Sequence, residues 1–442
     1  MNGKRAFAVV SLALGLFALP NVAFGQGETW IGKNLAETIS SARWKLDILR
    51  VNAALELSNF GYDSDIYYGY KSADPGVVEL APDGTVSASL PVQVLLPVGR
   101  SIVVDLYNNP RYDFYLSEKT QRGWNNTFRG QTHFALNRLY FLAGGEIANN
   151  RRRLSQELDI LVREIASSYD GLALWQASRA TSIALLYRSK TFRYGDAPIS
   201  GGVISETLNR KEDSFDLVAY VQPSPRSRYY IDSRLGTYAF AAPISRFKDT
   251  RSYSFYGGFS SVLRKEGPSR VGGVFGNARL GYMRLDILDT EQPDGSGLAG
   301  DIDLSVGILK LTTARVFFSR GFQFSVLYGA TYFAQTAYGA GISRSLSKRT
   351  SFSYDFSFGR SSYPKTSAGG GALSGLSHRY TSHSVRLNTT LSRDLTVAII
   401  GTIGQRVLKE TGQAWNRNFF GLSLIYGVSS INISTPFGGL SR

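Results

Sequence analysis

Uncharged side chains occupy every second position in a series of short runs that starts near residue 45 and continues towards the end of the chain. Successive side chains of a β-strand point to opposite faces, so this period predicts strands with one apolar and one polar face. The apolar registers are Val51-Ala53-Leu55-Leu57, Val86-Ala88-Leu90-Val92-Val94, Ile102-Val104-Leu106, Phe215-Leu217-Ala219-Val221, Tyr253-Phe255-Gly257-Phe259, Ile302-Leu304-Val306-Ile308, Phe352-Tyr354-Phe356-Phe358, Val385-Leu387-Thr389-Leu391, Leu395-Val397-Ile399 and Phe420-Leu422-Leu424-Tyr426.

None of these registers contains a charged residue, whereas the opposite faces hold Asp105, Asp216, Asp303, Asp355, Arg386 and Arg406. A charge that faces lipid costs about 2–4 kcal/mol at mid-bilayer, so a charge-free face repeated over many strands predicts contact with hydrocarbon. We therefore predict an all-β protein, a single transmembrane antiparallel β-barrel over residues 45–442. Its length corresponds to about 16–18 strands.

The connections between these runs alternate between short and long, which is the arrangement of periplasmic turns and outer loops in such barrels. The short connections are Pro97–Arg100, Ser178–Thr181, Ser347–Thr350 and Ser392–Leu395, and the long ones include Tyr62–Val78, Gly195–Asp213, Asp286–Gly300 and Ser361–Arg379.

Residues 150–170 fit either a short amphipathic helix or a strand with a bulge. The last strand is closed by either Tyr426 or Phe437.

The N-terminus has the layout of a secretory signal peptide. Lys4 and Arg5 precede the apolar stretch Ala6–Pro20, and Ala23-Phe24-Gly25 supplies small residues for cleavage. We expect residues 1–25 to be a cleaved signal peptide and residues 26–44 to form a periplasmic lead-in or a short plug. No later stretch of 18 apolar residues predicts a spanning helix, and a chain without cysteine forms no disulfides.

Loss of Lys4 and Arg5 with the signal peptide takes the formal net charge from +15 to +13, which suits a polyanionic partner. The predicted interior is nevertheless close to balanced. Its basic candidates are Arg50, Arg129, Arg188, Arg228, Arg234, Arg279, Arg386 and Arg406, and its acidic ones are Glu56, Asp105, Asp216, Asp232, Asp301, Asp303 and Asp355. The surplus lies in turns and loops such as Lys348-Arg349, which meet either lipid phosphates or a partner.

The residues that carry chemistry are sparse. Of three histidines, His133 falls on an interior register and is expected to be hydrated, whereas His378 and His383 have a spacing that does not favour a metal site. No Ser and acid pair with His133 in the pattern, and no nucleotide-binding glycine motif follows a buried strand. We therefore expect no enzyme activity, no cofactor and no metal.

Aromatic residues near the predicted strand ends favour girdles at the two membrane interfaces. A sugar path lined by aromatic rings is the alternative. These residues are Tyr68, Tyr107, Trp124, Trp175, Tyr238, Tyr363 and Trp415.

Several short segments resemble a family of outer-membrane β-barrel proteins, a porin family, associated with exopolysaccharide synthesis and export. They are Gly61–Tyr67, Leu136–Leu139, Arg152–Arg163, Leu208–Glu212 and Ser224–Phe240. The chain departs from the family at Asp65, where Asn is commoner, and at its non-aromatic end, Thr435–Arg442. The resemblance implies a monomeric barrel that acts with inner-membrane synthesis machinery and a periplasmic co-polymerase.

The leading hypothesis is a passive channel in the outer membrane of a Gram-negative bacterium that exports a secreted polysaccharide. The alternatives are a general diffusion porin for small solutes and a surface barrel without a channel. The expected partners are outer-membrane lipid and the polysaccharide cargo, and export argues against nucleic acid.

Overall fold

A computed structural model describes residues 35–36, 38–66, 81–99, 101–153, 161–199, 202–224, 227–261, 273–326, 330–364, 377–408 and 414–427. The predicted signal peptide, residues 1–25, lies outside these residues, as do Tyr68 and Phe437. Among the described residues, no helix is both long enough and apolar enough to span a bilayer.

Antiparallel strands dominate the described chain. They are β1 (Leu49–Asp63), β2 (Asp83–Ser89 and Val92–Val98), β3 (Ile102–Tyr115), β4 (Gly123–Ala135), β5 (Leu139–Arg153), β6 (Leu161–Gln176), β7 (Thr181–Tyr194), β8 (Arg210–Ser224), β9 (Ser227–Phe240), β10 (Thr250–Ser261), β11 (Val274–Ile287), β12 (Gly295–Leu309), β13 (Thr312–Phe324), β14 (Tyr332–Ser345), β15 (Thr350–Ser362), β16 (Ser377–Thr390), β17 (Leu395–Leu408) and β18 (Ala414–Gly427). A short strand, Trp44–Leu46, pairs with the start of β1, and Pro198–Ile199 pairs with Gly202–Val203. The helical residues are 35–36 and 38–40, α1 (Ile204–Leu208) and two 3-10 turns, Lys119–Gln121 and Pro243–Lys248.

The sheet closes on itself because β1 pairs with β18, from Ala54 opposite Gly427 to Asp63 opposite Phe419. The Arg417 guanidinium of β18 binds the Asp63 carboxylate of β1 across this seam. The two segments of β2 pair with the same neighbours, β1 and β3, and so form one strand interrupted at Leu90-Pro91. The described chain is thus a closed barrel of eighteen strands, which confirms the predicted all-β fold at the upper end of its strand count.

Short connections gather at one end of the barrel and longer ones at the other. The end that carries the start of β1 and the end of β18 also carries the turns at residues 136–138, 177–180, 346–349 and 391–394. We assign this end to the periplasm, where bacterial barrels have their short turns.

Residues 161–170 belong to strand β6 and Arg151 to strand β5, so the described part of 150–170 is strand and the helical alternative is wrong there. Tyr426 lies in the closing strand.

The predicted apolar registers face outwards. Phe420, Tyr426 and Leu55 remain 58%, 58% and 50% exposed, while Asp232 and Asp216, on the opposite registers, are at most 1% exposed. In a barrel the outer face has no protein to cover it, so large exposed apolar side chains on it are expected to contact lipid.

Part of the inner face is an apolar core, which the sequence did not predict. On β5 to β9, near the periplasmic end, a cluster of buried side chains faces inwards: Tyr140, Leu142, Leu172, Leu174, Ala184, Leu186, Val218, Tyr220 and Tyr230. His133 lies beside it, 4% exposed, with Nδ1 2.6 Å from the Tyr140 hydroxyl. The expectation that His133 is hydrated is therefore wrong, because Tyr140 and its apolar neighbours cover it.

A link between Arg43 and Asp394 holds the chain before β1 against the turn between β16 and β17. Arg43 Nη1 lies 2.6 Å from Asp394 Oδ1, and the Arg43 backbone N–H donates to Asn52 Oδ1, an inward-facing side chain. This hydrogen bond from Arg43 lowers the pKa of the Asp394 carboxyl. The pair therefore stabilises the fold above the ordinary carboxyl pKa and loses that contribution as the pH falls through the lowered value.

We expect acidification to loosen the Trp44–Leu46 strand modestly, because an exposed ion pair contributes little. Amide protection of these residues, measured by hydrogen exchange, should hold from neutral pH to about pH 4, the ordinary range of aspartate, and fall only below it, because the pKa of Asp394 is lowered. The Arg43→Gln variant should show the lower protection already at neutral pH. Equal protection in the variant and the parent at neutral pH would contradict this role.

Candidate functional site: the lumen of the barrel

Oppositely charged side chains follow one another around the inner wall from β6 to β12. Asp170 and Arg188 stand directly opposite on β6 and β7, as do Asp216 and Arg234 on β8 and β9 and Arg279 and Asp301 on β11 and β12. The Arg Nε to Asp Oδ1 distances are 2.6, 2.9 and 3.1 Å. We call Asp170, Arg188, Asp216, Arg234, Asp232, Arg279 and Asp301 the charge belt.

Asp232 joins the middle of the belt, with its side chain 0% exposed. Its Oδ2 lies 3.8 Å from Arg234 Nη2 and 3.9 Å from Arg279 Nη1, and neither carboxylate oxygen has a hydrogen-bond partner in the described residues. The Arg279 guanidinium stands 4.7 Å from the centre of the Tyr256 ring, whose electron-rich face attracts a cation. Arg279 therefore forms ion pairs with two carboxylates, Asp232 and Asp301.

A second group of charges continues the series on β12 to β15. Arg315 Nε and Nη2 donate to the two oxygens of Asp303 at 2.7 and 2.6 Å, a bidentate geometry. Arg315 Nη1 also lies 3.7 Å from Asp355 Oδ1 on the far side of β14. It reaches across β14 at Gly341, which is paired with both residues and has no side chain to stand between them.

Gly341→Ala is expected to destabilise the barrel by about 1 kcal/mol, at the low end of the cost of overpacking. The added Cβ would overlap Oδ1 of Asp355 and lie 3.1 Å from the Tyr354 carbonyl oxygen. The midpoint of denaturant unfolding measures the effect. Gly257→Ala is the matched control, since its Cβ would point outwards with no atom within 4 Å. A midpoint as high as that of the control would show that the gap at Gly341 is not needed.

On the other side of the seam, Asp105 of β3 is held by two neighbours. Gln93 Nε2 donates to its two oxygens at 3.1 and 3.2 Å, and Arg129 Nη2 lies 3.3 Å from Oδ2. Both charged side chains are less than a tenth exposed. This buried pair belongs to the wall rather than to open solvent.

The predicted lumen residues thus fall into two groups. The structure brings together Arg129, Arg188, Arg234, Arg279, Asp105, Asp216, Asp232, Asp301, Asp303 and Asp355 in inward-facing ion pairs. The second group has other contacts: Arg50 binds backbone carbonyls at the periplasmic end, Glu56 accepts from Ser89, and Arg406 lies near His378 at the opposite end. Arg228 and Arg386 also lie on inward registers.

Asp170 and Arg315 were not predicted to face the lumen. Each follows or precedes an exposed, outward-facing residue, Tyr169 or Val316, so the alternation of the strand could have placed both inside. The other two histidines do not converge, because His378 faces inwards, 7% exposed, while His383 shares the outward register of Val385.

The β13–β14 hairpin leaves the wall at the extracellular end. Pairing between β12 and β13 stops at Gly300 and Arg320, whereas β13 and β14 stay paired up to Phe324 and Tyr332. Phe324 packs edge-on against two inner-face rings of β9, Tyr238 and Phe240, at 4.9 and 5.1 Å. A hairpin that touches the inner face of a strand four places away must bend over the opening of the barrel.

Three extracellular connections meet at this point. Val326, beyond β13, packs in one cluster with Ile204 and Leu208 of α1 and with Val162 and Tyr194 of the wall. Strands β6 and β13 lie roughly 34 Å apart along the wall at the usual strand spacing, so this cluster reaches across the lumen. We call Val162, Tyr194, Ile204, Leu208 and Val326 the mouth cluster.

Lys248, at the end of the 3-10 turn Pro243–Lys248, joins these connections through hydrogen bonds. Its side chain is fully buried, and Nζ donates to the carbonyl oxygens of Ser325 at 2.9 Å and of Thr207 at 3.4 Å. Ser245 Oγ donates to the Glu206 carbonyl at 2.7 Å. The extracellular opening is therefore narrowed by segments that are packed and hydrogen-bonded to one another.

The aromatic residues assigned to girdles divide into two sets. Trp124 and Trp175 face outwards, 66% and 50% exposed, as a girdle requires. The assignment is wrong for the other described residues: Tyr107, Tyr363 and Trp415 are buried, and Tyr238 packs on Phe324 at the mouth. Tyr107 and Trp415 lie beneath the guanidinium groups of Arg129 and Arg406, respectively, which explains their inward position.

A closed antiparallel barrel with an apolar outer face and a charged inner face can lie only in a membrane that accepts strands as spans. The fold is that of an outer-membrane porin. The chain accordingly lies in the outer membrane of a Gram-negative bacterium.

No protein-family model and no curated protein match the sequence. Among solved structures, the chain is similar to OccK1 (OpdK) of Pseudomonas aeruginosa, with 12% identity, 87% of this chain and 99% of that chain covered, and a TM-score of 0.49. It is also similar to OccAB4 of Acinetobacter baumannii, with 11% identity, coverage of 85% and 97%, and a TM-score of 0.47. A structure described as a bacterial polysaccharide outer membrane secretin has 8% identity, coverage of 85% and 98%, and a TM-score of 0.34.

These comparisons contradict the prediction of polysaccharide export. The solved structures similar to this chain are mostly Occ proteins. The inner-membrane synthesis machinery and periplasmic co-polymerase implied by the sequence resemblance have no support either. The geometry gives a physical reason, because a polymer channel needs a wide hydrated lumen, whereas this one is narrowed by the mouth cluster and partly lined by apolar side chains.

Proposed function

We propose that the chain is a passive channel for small water-soluble solutes, acting as a monomer. A barrel of sixteen to eighteen strands is wide enough to enclose an aqueous passage. The observation that supports this function best is the charge belt. Its carboxylates accept hydrogen bonds from water and polar solutes, and its guanidinium groups donate hydrogen bonds to them.

The charge belt does not require the solute to carry a particular charge. Carboxylates and guanidinium groups alternate, so a neutral or zwitterionic solute can exchange its hydration for contacts with both. The narrowed mouth would then select by size, since a solute must pass the packed segments around Lys248 before it reaches the belt.

Reconstitution tests the proposal. We expect the purified barrel to give discrete conductance steps in a planar bilayer, and liposomes that contain it to swell in monosaccharides and amino acids but much more slowly in oligosaccharides. Protein unfolded by heat before reconstitution is the control. A folded barrel that gives no conductance would contradict the proposal and favour a surface barrel without a channel.

A further inference from the structure

Three arginines lie close together on the outer face of the barrel at the extracellular ends of β5, β6 and β7. Arg151 and Arg163 are direct cross-strand partners, and Arg193 is the partner of Ile165, two residues below Arg163. Direct partners have Cβ atoms about 5 Å apart and diagonal partners are about 7–8 Å apart. We call Arg151, Arg163 and Arg193 the arginine rim.

The apolar side chains below the rim fix its height relative to the membrane. The outward registers of the same three strands carry Ile147, Ile165 and Tyr187, which are 56%, 41% and 48% exposed. Arg193 stands directly opposite Ile165. The rim therefore begins where the lipid-facing surface ends, which is the level of the lipid headgroups in the outer leaflet.

No carboxylate of the described residues pairs with an arginine of the rim. Arg163 Nε donates to Asn149 Oδ1 at 2.8 Å, and Arg151 Nη1 donates to the carbonyls of Thr120 and Arg122 at 2.9 and 3.1 Å. In the described part of the chain, none of the three arginines forms a salt bridge. Like charges directly opposite on a sheet are destabilising, so this arrangement favours an anion between them.

Two other outward cations at the extracellular side are paired with carboxylates. Lys211 Nζ lies 3.0 Å from Asp213 Oδ2, and Arg284 binds Asp286 on the same strand. The Arg–Arg arrangement recurs on β15 and β16, where outward-facing Arg360 stands directly opposite Arg379. The arginine rim therefore differs from Lys211 and Arg284 in having no carboxylate partner among the described residues.

We propose that the arginine rim binds the phosphate groups of a glycolipid in the outer leaflet. Guanidinium groups bind phosphate oxygens through paired, charge-assisted N–H donors, and two or three of them can surround one phosphate. The acyl chains of the same lipid would lie along Ile147, Ile165 and Tyr187. The position of the rim at the headgroup level selects a lipid over a soluble phosphate, which would have no contact with these apolar side chains.

Native mass spectrometry of the folded, detergent-solubilised barrel tests the proposal, with bisphosphorylated lipid A as the probe. The double variant Arg163→Gln/Arg193→Gln is expected to bind this lipid about a hundredfold more weakly, about tenfold for each charged hydrogen-bonding group that is lost. The matched control is Lys211→Gln/Arg284→Gln, which removes two outward cations that are already paired and should bind like the parent. Dephosphorylated lipid A should bind the parent as weakly as the phosphorylated lipid binds the double variant.

Three results would overturn the proposal. They are equal binding of phosphorylated lipid by the double variant and the parent, equal binding of phosphorylated and dephosphorylated lipid by the parent, and displacement of the lipid by an equal concentration of inorganic phosphate. If the double variant does not fold, the single variant Arg193→Gln serves, because this exposed side chain makes no hydrogen bond or ion pair within the described structure. It should bind about tenfold more weakly.

Discussion

Replacement of Lys248 by alanine is expected to increase the time-averaged conductance of the channel. The buried ammonium group donates to carbonyl oxygens of two connections that belong to opposite parts of the wall, that of Ser325 after β13 and that of Thr207 in α1. Its loss leaves both carbonyls without this donor and removes hydrogen bonds to a charged group, which costs the packed mouth about 3 kcal/mol. A loss of that size raises the population of a locally opened mouth roughly a hundredfold.

Single-channel recordings measure this effect as more frequent or longer openings to a higher conductance level. Arg246→Ala is the matched control, since Arg246 lies in the same 3-10 turn but is exposed and outside the mouth cluster. The barrel itself should unfold at nearly the same denaturant concentration in both variants, because no strand pairing involves either residue. Recordings of Lys248→Ala that match those of Arg246→Ala would show that the mouth does not limit the current.

The wall of the barrel could be predicted from the sequence because it depends on local rules. The alternation around Leu55, Phe255 and Phe420 reflects two different solvents on the two sides of a strand, and each strand records this difference independently of its neighbours. The charge belt could be predicted in part for the same reason. Asp170 and Arg315 were missed although their registers placed them inside, whereas Arg228 and Arg386 were predicted on the correct face but are not among the residues of the charge belt.

The mouth could not be predicted from these rules. Val326 and Ile204 are separated by more than a hundred residues, and their contact depends on where the β12–β13 pairing ends and the hairpin bends inwards. The same limit explains the aromatic residues. Tyr363 and Trp415 lie near strand ends, where a ring packs on either side of the wall, whereas Tyr107 lies in the middle of β3. For Tyr107 and Trp415 the side follows arginines on neighbouring strands.

Arg279→Met is expected to make the channel more selective for cations and less stable. The arginine forms ion pairs with Asp232 and Asp301, so its removal leaves the belt with one positive charge fewer. The Asp232 carboxylate, which is 0% exposed, then keeps only its 3.8 Å contact with Arg234. Breaking a buried ion pair by removing one partner costs about 3–5 kcal/mol. Methionine keeps much of the side-chain length, so the loss of charge dominates over the loss of packing.

Reversal potentials in a potassium chloride gradient and denaturant unfolding measure the two effects. Arg50→Met removes the same charge from an inward-facing arginine outside the belt, whose Nη1 binds only backbone carbonyls, and should change both quantities much less. The double variant Arg279→Met/Asp232→Asn should recover most of the selectivity and part of the stability, because it removes the uncompensated carboxylate along with the arginine. An unchanged reversal potential in Arg279→Met would mean that permeating ions do not pass the belt, and its role would then be confined to holding β9 to β12 together.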